Sequence, residues 1–207
     1  MCGICGLSWH DSNLIKKMGE KIKHRGPEQE GFFIDDDVSL CCERLKVLDL
    51  SENAKQPQHN EDSSIWVVLN GEIYNFRELK KSLENNHKFY TNSDTEVIVH
   101  AYEEYGEDCL SKLNGMFSFA IWDSKKKKLF LARDRMGVKP LFYCFVNNQL
   151  LFSSEIKSLL QFDDVKRELN YEALSQFTTY AYTVDGQTLF KNINELLPGH
   201  KLIYFSD

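Results

Sequence analysis

The sequence predicts an α+β fold in which helices cover largely antiparallel β-sheets. Three observations support this class. Apolar residues alternate between helical and strand spacing along the chain, strand-like runs outnumber helical ones, and neighbouring strand runs are joined by short turns. The chain has 207 residues, of which 42% are hydrophobic and 13% aromatic, so it can bury a substantial core. We therefore expect one domain over residues 1–207.

Helical spacing predicts a first helix over residues 14–22, where either Ser12 or Asn13 would be the N-cap. A second helical face covers residues 76–83. A third helix is expected to begin within residues 93–96, because Ser-Asp-Thr-Glu has the form of a capping box. We expect these three helices to pack on the faces of the sheets.

A shorter helical segment is expected to end near Leu113, with Gly115 as its C-terminal stop. Alternating residues from Phe117 to Trp122 then predict a strand. The lysines at 125–128 form an expected solvent-exposed turn, and residues 129–133 return as the second strand of a hairpin.

A second hairpin is predicted from residues 141–146 and 149–153, because Asn147 and Asn148 tolerate the backbone angles of a tight turn. The nearly continuous apolar run over residues 65–69 predicts a strand that is covered on both faces. Strands thus make up most of the framework.

Charge and hydropathy exclude several classes of protein. The formal net charge of −6 lacks the basic footprint of a general nucleic-acid binder. The longest apolar runs, 65–69 and 141–145, are far shorter than the roughly 20 residues of a membrane span. The first residues have no basic start or long apolar centre, so they do not resemble a secretory signal. We therefore expect no membrane partner and a cytoplasmic location.

The six cysteines leave a redox or zinc module as one interpretation, because Cys2-x-x-Cys5 has the spacing of such a site. A four-ligand zinc site would need a second close pair. Adjacent Cys41 and Cys42 are a poor pair because neighbouring strand residues point to opposite faces. We instead predict that the other cysteines are small buried hydrophobic residues: Cys41, Cys42, Cys109 and Cys144.

A cysteine follows the initiator methionine, and this arrangement suggests an N-terminal nucleophile. Removal of Met1 would leave Cys2 with both a thiol and an α-amine, whose ordinary pKa of about 7.7–8.0 lets it serve as a base. Asn70 and Gly71 follow the apolar strand, and an amide side chain with a nearby backbone N–H can stabilise an oxyanion. Taken alone, Asn-Gly is equally consistent with a simple turn.

Arg44 and Asp94 could bind the two charged ends of an amino acid, although each could equally be an ordinary surface or capping residue. A set of short motifs in a defined order adds to these individual features: Met1-Cys2-Gly3-Ile4, His24-Arg25-Gly26-Pro27, Glu43-Arg44-Leu45, Gln56-Pro57, Asn70–Asn75, Ser93-Asp94-x-Glu96, Gly115-Met116-Phe117, Arg133-Asp134-Arg135-x-Gly137, Lys139-Pro140-Leu141, Ser154-Glu155-Ile156-Lys157 and Leu197-Pro198-Gly199-His200. This ordered set resembles the class II glutamine amidotransferases, and more closely the glutaminase domain of glutamine-hydrolysing asparagine synthetases.

The resemblance implies a four-layer fold of the N-terminal-nucleophile hydrolase type, with two antiparallel sheets between helical layers. It implies hydrolysis of L-glutamine to L-glutamate and ammonia through a thioester on Cys2. Asn70 and the backbone amide of Gly71 would stabilise the oxyanion. Arg25 would support the loop around the site.

The resemblance also assigns the substrate-binding residues. Arg44 would pair with the α-carboxylate of glutamine, and Asp94 with help from Glu72 would hold its α-ammonium. The pocket would be lined along the segment Arg44–Leu48, which includes Leu45, Val47 and Leu48, together with Asn70 and Gly71. No metal ligand is expected among these residues.

The expected partner is an ATP-dependent synthetase domain, in cis or in trans, that uses the ammonia to amidate aspartate. No Ser-Gly-Gly-x-Asp-type loop occurs in the chain, so no cofactor is expected here, and ATP and Mg²⁺ would belong to the synthetase domain. About the last 15 residues would lead toward that domain. A homodimer is compatible with the resemblance. The alternatives are a catalytically silent glutamine-binding domain and an amidotransferase with another carboxylate acceptor.

Overall fold

The computed structural model describes residues 1–206 and places their strands in two antiparallel sheets. The first sheet has six strands, in the spatial order β10-β8-β9-β1-β3-β2: β1 Gly3–Leu7, β2 Gln29–Ile34, β3 Ser39–Arg44, β8 Phe142–Val146, β9 Gln149–Ser153 and β10 Asn194–Glu195. The second has five, in the order β11-β7-β6-β5-β4: β4 Gln58–His59, β5 Ile65–Ile73, β6 Gly115–Asp123, β7 Lys128–Arg133 and β11 Lys201–Phe205.

Residues 1–206 form six α-helices: α1 Ser12–Ile22, α2 Phe76–Leu83, α3 Glu96–Tyr105, α4 Cys109–Lys112, α5 Ile156–Leu159 and α6 Tyr171–Tyr180. Of these, α1–α5 pack on the outer faces of the two sheets. Short 3₁₀ turns occur at Lys23–Arg25, Glu52–Ala54 and Gly106–Asp108.

Three apolar cores show how the layers stack. One core lies between the sheets and joins residues such as Ile4 of β1 with Trp122 of β6. A second packs α3 and its neighbours against the outer face of the five-stranded sheet. A third packs α1 and α5 against the outer face of the six-stranded sheet. The order helix, sheet, sheet, helix confirms the predicted four-layer α+β architecture.

The three longer predicted helices are confirmed as α1, α2 and α3, but the cap of α1 differs from the prediction. Asp11 is the N-cap, and its carboxylate accepts hydrogen bonds from the backbone N–H groups of Asn13 and Leu14 at 3.1 and 2.8 Å. Ser12 and Asn13 were both wrong as caps. Asp11 has extended backbone angles, and this conformation directs a side-chain oxygen at the first helical turn.

The capping box predicted for α3 does not form. Glu96 turns away from Ser93 and accepts hydrogen bonds from the backbone N–H groups of Tyr90 and Thr91 at 2.7 and 2.8 Å. Ser93 accepts a hydrogen bond from the backbone N–H of Thr95 instead. The N-terminal turn of α3 is therefore stabilised by the chain that precedes it.

Gly115 is not a helix stop, because it is the first residue of β6. A Cβ atom at this position would lie 2.2 Å from the carbonyl oxygen of Glu72 on the paired strand β5. Glycine is needed here for close approach of two strands rather than for a left-handed turn.

Both predicted hairpins are confirmed, with two changes in their surroundings. Asn147 and Asn148 adopt left-handed backbone angles at the second turn, as a two-residue hairpin requires. Lys128 does not belong to the solvent-exposed turn: it begins β7, is buried, and its Nζ donates to Glu107. The strand predicted over residues 65–69 continues to Ile73, so Asn70 and Gly71 lie inside β5 and not in a turn.

The cysteines predicted to be small core residues are buried: Cys41, Cys42, Cys109 and Cys144. Neighbouring Cys41 and Cys42 contribute to different cores, as alternation along β3 requires. Over residues 1–206, none of the helices is long and apolar enough to pass through a bilayer.

Candidate active site

Cys2 immediately precedes β1, which lies between β3 and β9 near the middle of the six-stranded sheet. Arg25 fixes this end of the chain. Its Nε donates to the carbonyl oxygen of Cys2 at 3.0 Å, and its Nη1 donates to the carboxylate of Glu155 at 2.9 Å. Arg25 therefore holds the backbone of Cys2 and has no contact with the cavity described below.

The thiol of Cys2 is half-buried and lies 3.8 Å from the carbonyl oxygen of Leu45. A hydrogen bond from the Cys42 thiol favours the thiolate, and burial opposes it. Interaction with the Leu45 backbone and the positive charges of the chain's amino terminus and of Arg44 also favour the thiolate. Together they lower the pKa of Cys2 to about 7. A substantial fraction is therefore the nucleophilic thiolate at neutral pH.

Asn70 and Gly71 belong to β5, which lies between β6 and the short edge strand β4 in the opposite sheet. The side chain of Asn70 is fully buried, and neither its Nδ2 nor its Oδ1 has a hydrogen-bond partner within residues 1–206. Gly71 pairs closely with β6, where an added Cβ would lie 2.2 Å from the carbonyl oxygen of Met116. The side-chain amide of Asn70, which can donate hydrogen bonds, is thus adjacent along β5 to the glycine backbone of Gly71.

The two sheets enclose a cavity of about 310 Å³ at this end of the molecule. Its lining includes six of the residues predicted for the site, from both sheets and the loop after β3: Cys2, Leu45, Val47, Asn70, Gly71 and Glu72. Its walls are mainly apolar, with a few polar groups, as is usual for small-molecule sites.

Arg44 and Leu48 do not line this cavity. The Arg44 guanidinium is buried at the end of β3 and donates to the side chain of Gln29 and to the carbonyl oxygens of Leu48 and Asp49, at 2.7–2.9 Å. These bonds use three of its five N–H donors and hold the loop that contains Leu45 and Val47. Leu48 itself faces an adjacent groove beside α2.

Asp94 also lies behind the cavity wall. Its carboxylate accepts a hydrogen bond from the backbone N–H of Ile73 at 2.8 Å and lies beside the carboxylate of Glu72, which lines the cavity. Burial raises the pKa of Asp94 against the opposing hydrogen bonds. Burial and the nearby charge of Asp94 raise the pKa of Glu72 to about 7, and the positive charge of Lys139 opposes this rise.

Three cavity residues were missed by sequence reasoning: Met1, Met116 and Lys139. Burial lowers the pKa of Lys139 in spite of the neighbouring carboxylate of Glu72. Met116 and Lys139 each lie in a motif on which the family resemblance rests, Gly115-Met116-Phe117 and Lys139-Pro140-Leu141. The sequence therefore marked both positions, but no function was predicted for either residue. The cavity offers one thiol and one carboxylate as metal-type ligands, fewer than the three that a catalytic zinc site uses.

The fold is similar to that of a solved amidotransferase. Glutamine phosphoribosylpyrophosphate amidotransferase from Bacillus subtilis aligns with 98% of this chain and 47% of its own, with a TM-score of 0.70. The two sequences are only 21% identical, so this likeness concerns the fold.

Sequence relatives are more similar. The chain is 44% identical to "Asparagine synthetase [glutamine-hydrolyzing] 2" and 40% identical to "Asparagine synthetase [glutamine-hydrolyzing] 1", both of Bacillus subtilis, over 98% and 96% of its length. It spans 28% and 33% of those two proteins. The family model described as a glutamine amidotransferase domain matches residues 1–207. The chain therefore belongs to the class II glutamine amidotransferase family and is homologous to the glutaminase half of glutamine-hydrolysing asparagine synthetases.

Proposed function

We propose that this domain hydrolyses L-glutamine to L-glutamate and ammonia through a thioester on Cys2. The observation that supports this most directly is the buried Asn70 amide, which lines the same cavity as Cys2 and lacks a partner. Buried polar groups are almost always hydrogen-bonded, so an unpaired amide beside a thiol of lowered pKa is typical of a site arranged for a transition state.

In the proposed reaction, the Cys2 thiolate attacks the side-chain amide carbon of glutamine, and the carbonyl oxygen gains a negative charge. Nδ2 of Asn70 and the backbone N–H of Gly71 donate to that oxygen. The carbon–nitrogen bond then breaks, and the nitrogen takes up a proton and leaves as ammonia. Water attacks the thioester, which releases glutamate and regenerates the thiol. We also propose that Met1 is removed in the active protein, so that the α-amine of Cys2 can transfer the protons.

For substrate binding, we propose that the guanidinium of Arg44 pairs with the α-carboxylate of glutamine. Two N–H donors of its guanidinium are not used by the hydrogen bonds described above and are available for a charge-assisted pair. Because Arg44 does not line the cavity, this pairing requires the loop after β3 to rearrange when glutamine binds. Glu72 and Asp94 supply the negative charge that an α-ammonium requires. Leu45 and Val47, which line the cavity, would surround the methylene groups of the side chain.

The partner in this proposal is an ATP-dependent synthetase domain, in cis or in trans, that transfers the ammonia to aspartate. The names of the relatives support this acceptor. Exposed aromatic side chains on and after α6, Phe177, Tyr180 and Tyr182, offer a surface for such a domain or for a second copy in a homodimer. Six free cysteines suit a reducing compartment, which supports a cytoplasmic location.

The first test is glutamate release from glutamine by the Cys2→Ala variant. We expect no detectable turnover with an unchanged far-UV circular dichroism spectrum, because the substitution removes the nucleophile from the end of the chain. Cys5→Ala is the matched control: Cys5 lies three residues later, within β1, and is fully buried on the outer face of the sheet, so this variant should retain most activity.

Normal turnover by Cys2→Ala would refute the assignment. A wild-type protein that binds glutamine but releases no glutamate would support the alternative, a catalytically silent glutamine-binding domain. Measured turnover with glutamine as the sole nitrogen source would exclude that alternative.

A further inference from the structure

A second group of reactive side chains lies outside the cavity, on the helical layer of the five-stranded sheet. It consists of Glu61, His87, His100 and Glu103, and their ligand-type atoms all lie within 4.8 Å of one another. Glu61 belongs to the connection between β4 and β5, His87 to the connection between α2 and α3, and the other two residues to α3. Three separate segments therefore meet at one point.

The spacing of these atoms fits one small cation. Nδ1 of His100 lies 3.0 Å from Glu103 and 3.8 Å from Glu61, and Nδ1 of His87 lies 3.4 Å from Glu103 and 4.0 Å from Glu61. A tetrahedral Zn²⁺ ion with bonds of about 2.0–2.1 Å holds its ligand atoms about 3.3 Å apart. The four atoms lie at most 4.8 Å apart, so the widest pair must close by up to about 1.5 Å to reach that arrangement, a distance that side-chain rotation can cover.

The outward nitrogen of each imidazole also faces a carboxylate. Nε2 of His87 lies 3.3 Å from Glu104, and Nε2 of His100 lies 3.6 Å from Glu96. Histidines that ligate a metal usually direct their other ring nitrogen at a carboxylate or carbonyl, which fixes the ring and increases its basicity. Both inward nitrogens are therefore placed to act as ligands.

The two carboxylates are oriented as well. Asn60 donates to Oε1 of Glu103 at 2.8 Å, which leaves Oε2 directed at both histidines. The backbone N–H of Lys88 donates to Glu61 at 2.6 Å. The cluster is deep at one end and open at the other, because the His100 side chain is fully buried and the Glu61 side chain is 39% exposed. An ion can therefore enter from the solvent.

We propose that Glu61, His87, His100 and Glu103 form a structural Zn²⁺ site. Two imidazoles and two carboxylates suit zinc better than magnesium or calcium, which prefer oxygen ligands. A bound ion would tie the two connecting segments to α3. Asp94 lies behind the cavity wall, two residues before the start of α3. An ion that restrains α3 would therefore also restrain the backbone at Asp94.

The competing interpretation is an ion-pair network without metal. Burial disfavours the imidazolium, but the hydrogen bond with Glu103 and the nearby carboxylates of Glu96 and Glu61 outweigh it and raise the pKa of His100 to about 9. Zinc must therefore displace a proton, so its binding would weaken as the pH falls. The two interpretations differ in whether the protein takes up a stoichiometric ion.

The test is zinc binding by the untagged protein, measured by competition with a chromophoric chelator and by the thermal unfolding midpoint. We expect one Zn²⁺ per chain and a higher midpoint with zinc. His87→Ala and Glu103→Gln should each weaken binding by about 100-fold or more, since loss of an outer partner alone typically costs 10–100-fold. His10→Ala is the matched control, because His10 is an exposed histidine whose contact is with Asp35, away from the cluster.

Zinc binding must also be measured in Cys2→Ala protein, because the Cys2 thiolate is a competing ligand. Retained binding there supports the cluster, and loss of binding there refutes it. Binding that is unchanged in both His87→Ala and Glu103→Gln, or no binding by the wild type, would also refute the site. Cobalt substitution gives an independent measurement: intense visible bands of a tetrahedral ion are expected in the wild type and not in Glu103→Gln. Glutaminase activity is not part of the readout, so this result is separate from the proposed function.

Discussion

At the scale of single residues, the cavity contains groups that folding alone would not favour. The amide of Asn70 is buried without a partner, and such a group costs about 1–3 kcal/mol of stability. Glu72 and Asp94 are neighbouring carboxylates whose pKa values are raised. Costs of this kind are expected where side chains are arranged for a ligand or a transition state.

We expect Asn70→Ala to lower kcat for glutamate release by about 10²–10³-fold, the typical cost of losing one oxyanion donor. Its thermal unfolding midpoint should be equal to or above that of the wild type, because the substitution removes a buried amide that makes no hydrogen bond in the folded protein. Steady-state kinetics and thermal unfolding of the same preparation test both expectations.

Asn60→Ala is the matched control for this prediction. Asn60 is equally buried, but its side chain bonds to Ser64, Glu103 and the backbone of Ile65. We expect this variant to lose stability and to keep its turnover at temperatures where it is folded. Wild-type turnover by Asn70→Ala would remove Asn70 from the mechanism.

Cys42 is predicted to tune the nucleophile. Its thiol stabilises the Cys2 thiolate by a hydrogen bond, the largest of the effects that lower the pKa of Cys2 to about 7. Activity that depends on the thiolate increases as the pH rises through this pKa. Because Cys42→Ala removes the donor, the pKa of Cys2 should rise, and the acidic limb of the kcat/KM profile should move to higher pH.

Cys41→Ala is the control for this profile, because Cys41 neighbours Cys42 but packs on the helix-facing side of β3. Its acidic limb should coincide with that of the wild type. Coincident profiles for Cys42→Ala and the wild type would contradict the proposed hydrogen bond.

At the scale of elements, sequence periodicity predicted those that have a single buried face or a tight turn. The three longer helices and both hairpins are examples. The bounds of β3 were not predicted, because polar Ser39, Glu43 and Arg44 interrupt its apolar pattern, although the strand is buried along its whole length. Helix ends were less predictable, because capping depends on backbone angles and on distant partners, as Glu96 shows by bonding to Tyr90 and Thr91.

The start of α1 provides a prediction at this scale. Asp11→Ala should lower the free energy of unfolding by about 0.5–2 kcal/mol, the usual cost of losing an N-cap. Two backbone N–H groups of the first turn would lose their acceptor. Chemical denaturation monitored by circular dichroism provides the measurement. Ser12→Ala and Asn13→Ala, the caps expected from sequence, should change stability by only tenths of this amount, and equal losses in all three variants would contradict the assignment.

At the scale of the whole molecule, the cavity exists because two sheets face each other. Cys2 directly precedes β1 of the six-stranded sheet, Asn70 lies in the five-stranded sheet, and no local sequence spacing links the two residues. Only the resemblance to a family grouped them in advance. The hydrogen bonds of Arg44 to its own loop could not be predicted, because they depend on how residues after β3 turn back.

The domain should release ammonia without using it. Amidation of aspartate requires a carboxylate activated by ATP, and glycine-rich loops that bind phosphates need consecutive or closely spaced glycines. The chain contains no two adjacent glycines and no Ser-Gly-Gly-x-Asp pattern, and its most closely spaced pair, Gly3 and Gly6, lies within strand β1 and not in a loop. We therefore expect the purified 207-residue protein, given glutamine, aspartate and ATP with Mg²⁺, to form glutamate and free ammonia but no asparagine. Its glutamate rate should be the same without ATP and aspartate.

Amino-acid chromatography and an ammonia assay on the same reaction test this expectation. As a positive control, a full-length glutamine-hydrolysing asparagine synthetase, with its own nucleophilic cysteine replaced by alanine, is added in trans. Once this variant enzyme is shown to form asparagine from added ammonium chloride, asparagine should appear in the mixture without added ammonium only when this domain retains Cys2. The amount of asparagine should not exceed the amount of glutamate released, because each amide nitrogen comes from one glutamine. Asparagine formed by the 207-residue protein alone would show that the chain itself activates aspartate. It would refute the proposal that this domain only hydrolyses glutamine while a separate synthetase domain amidates aspartate.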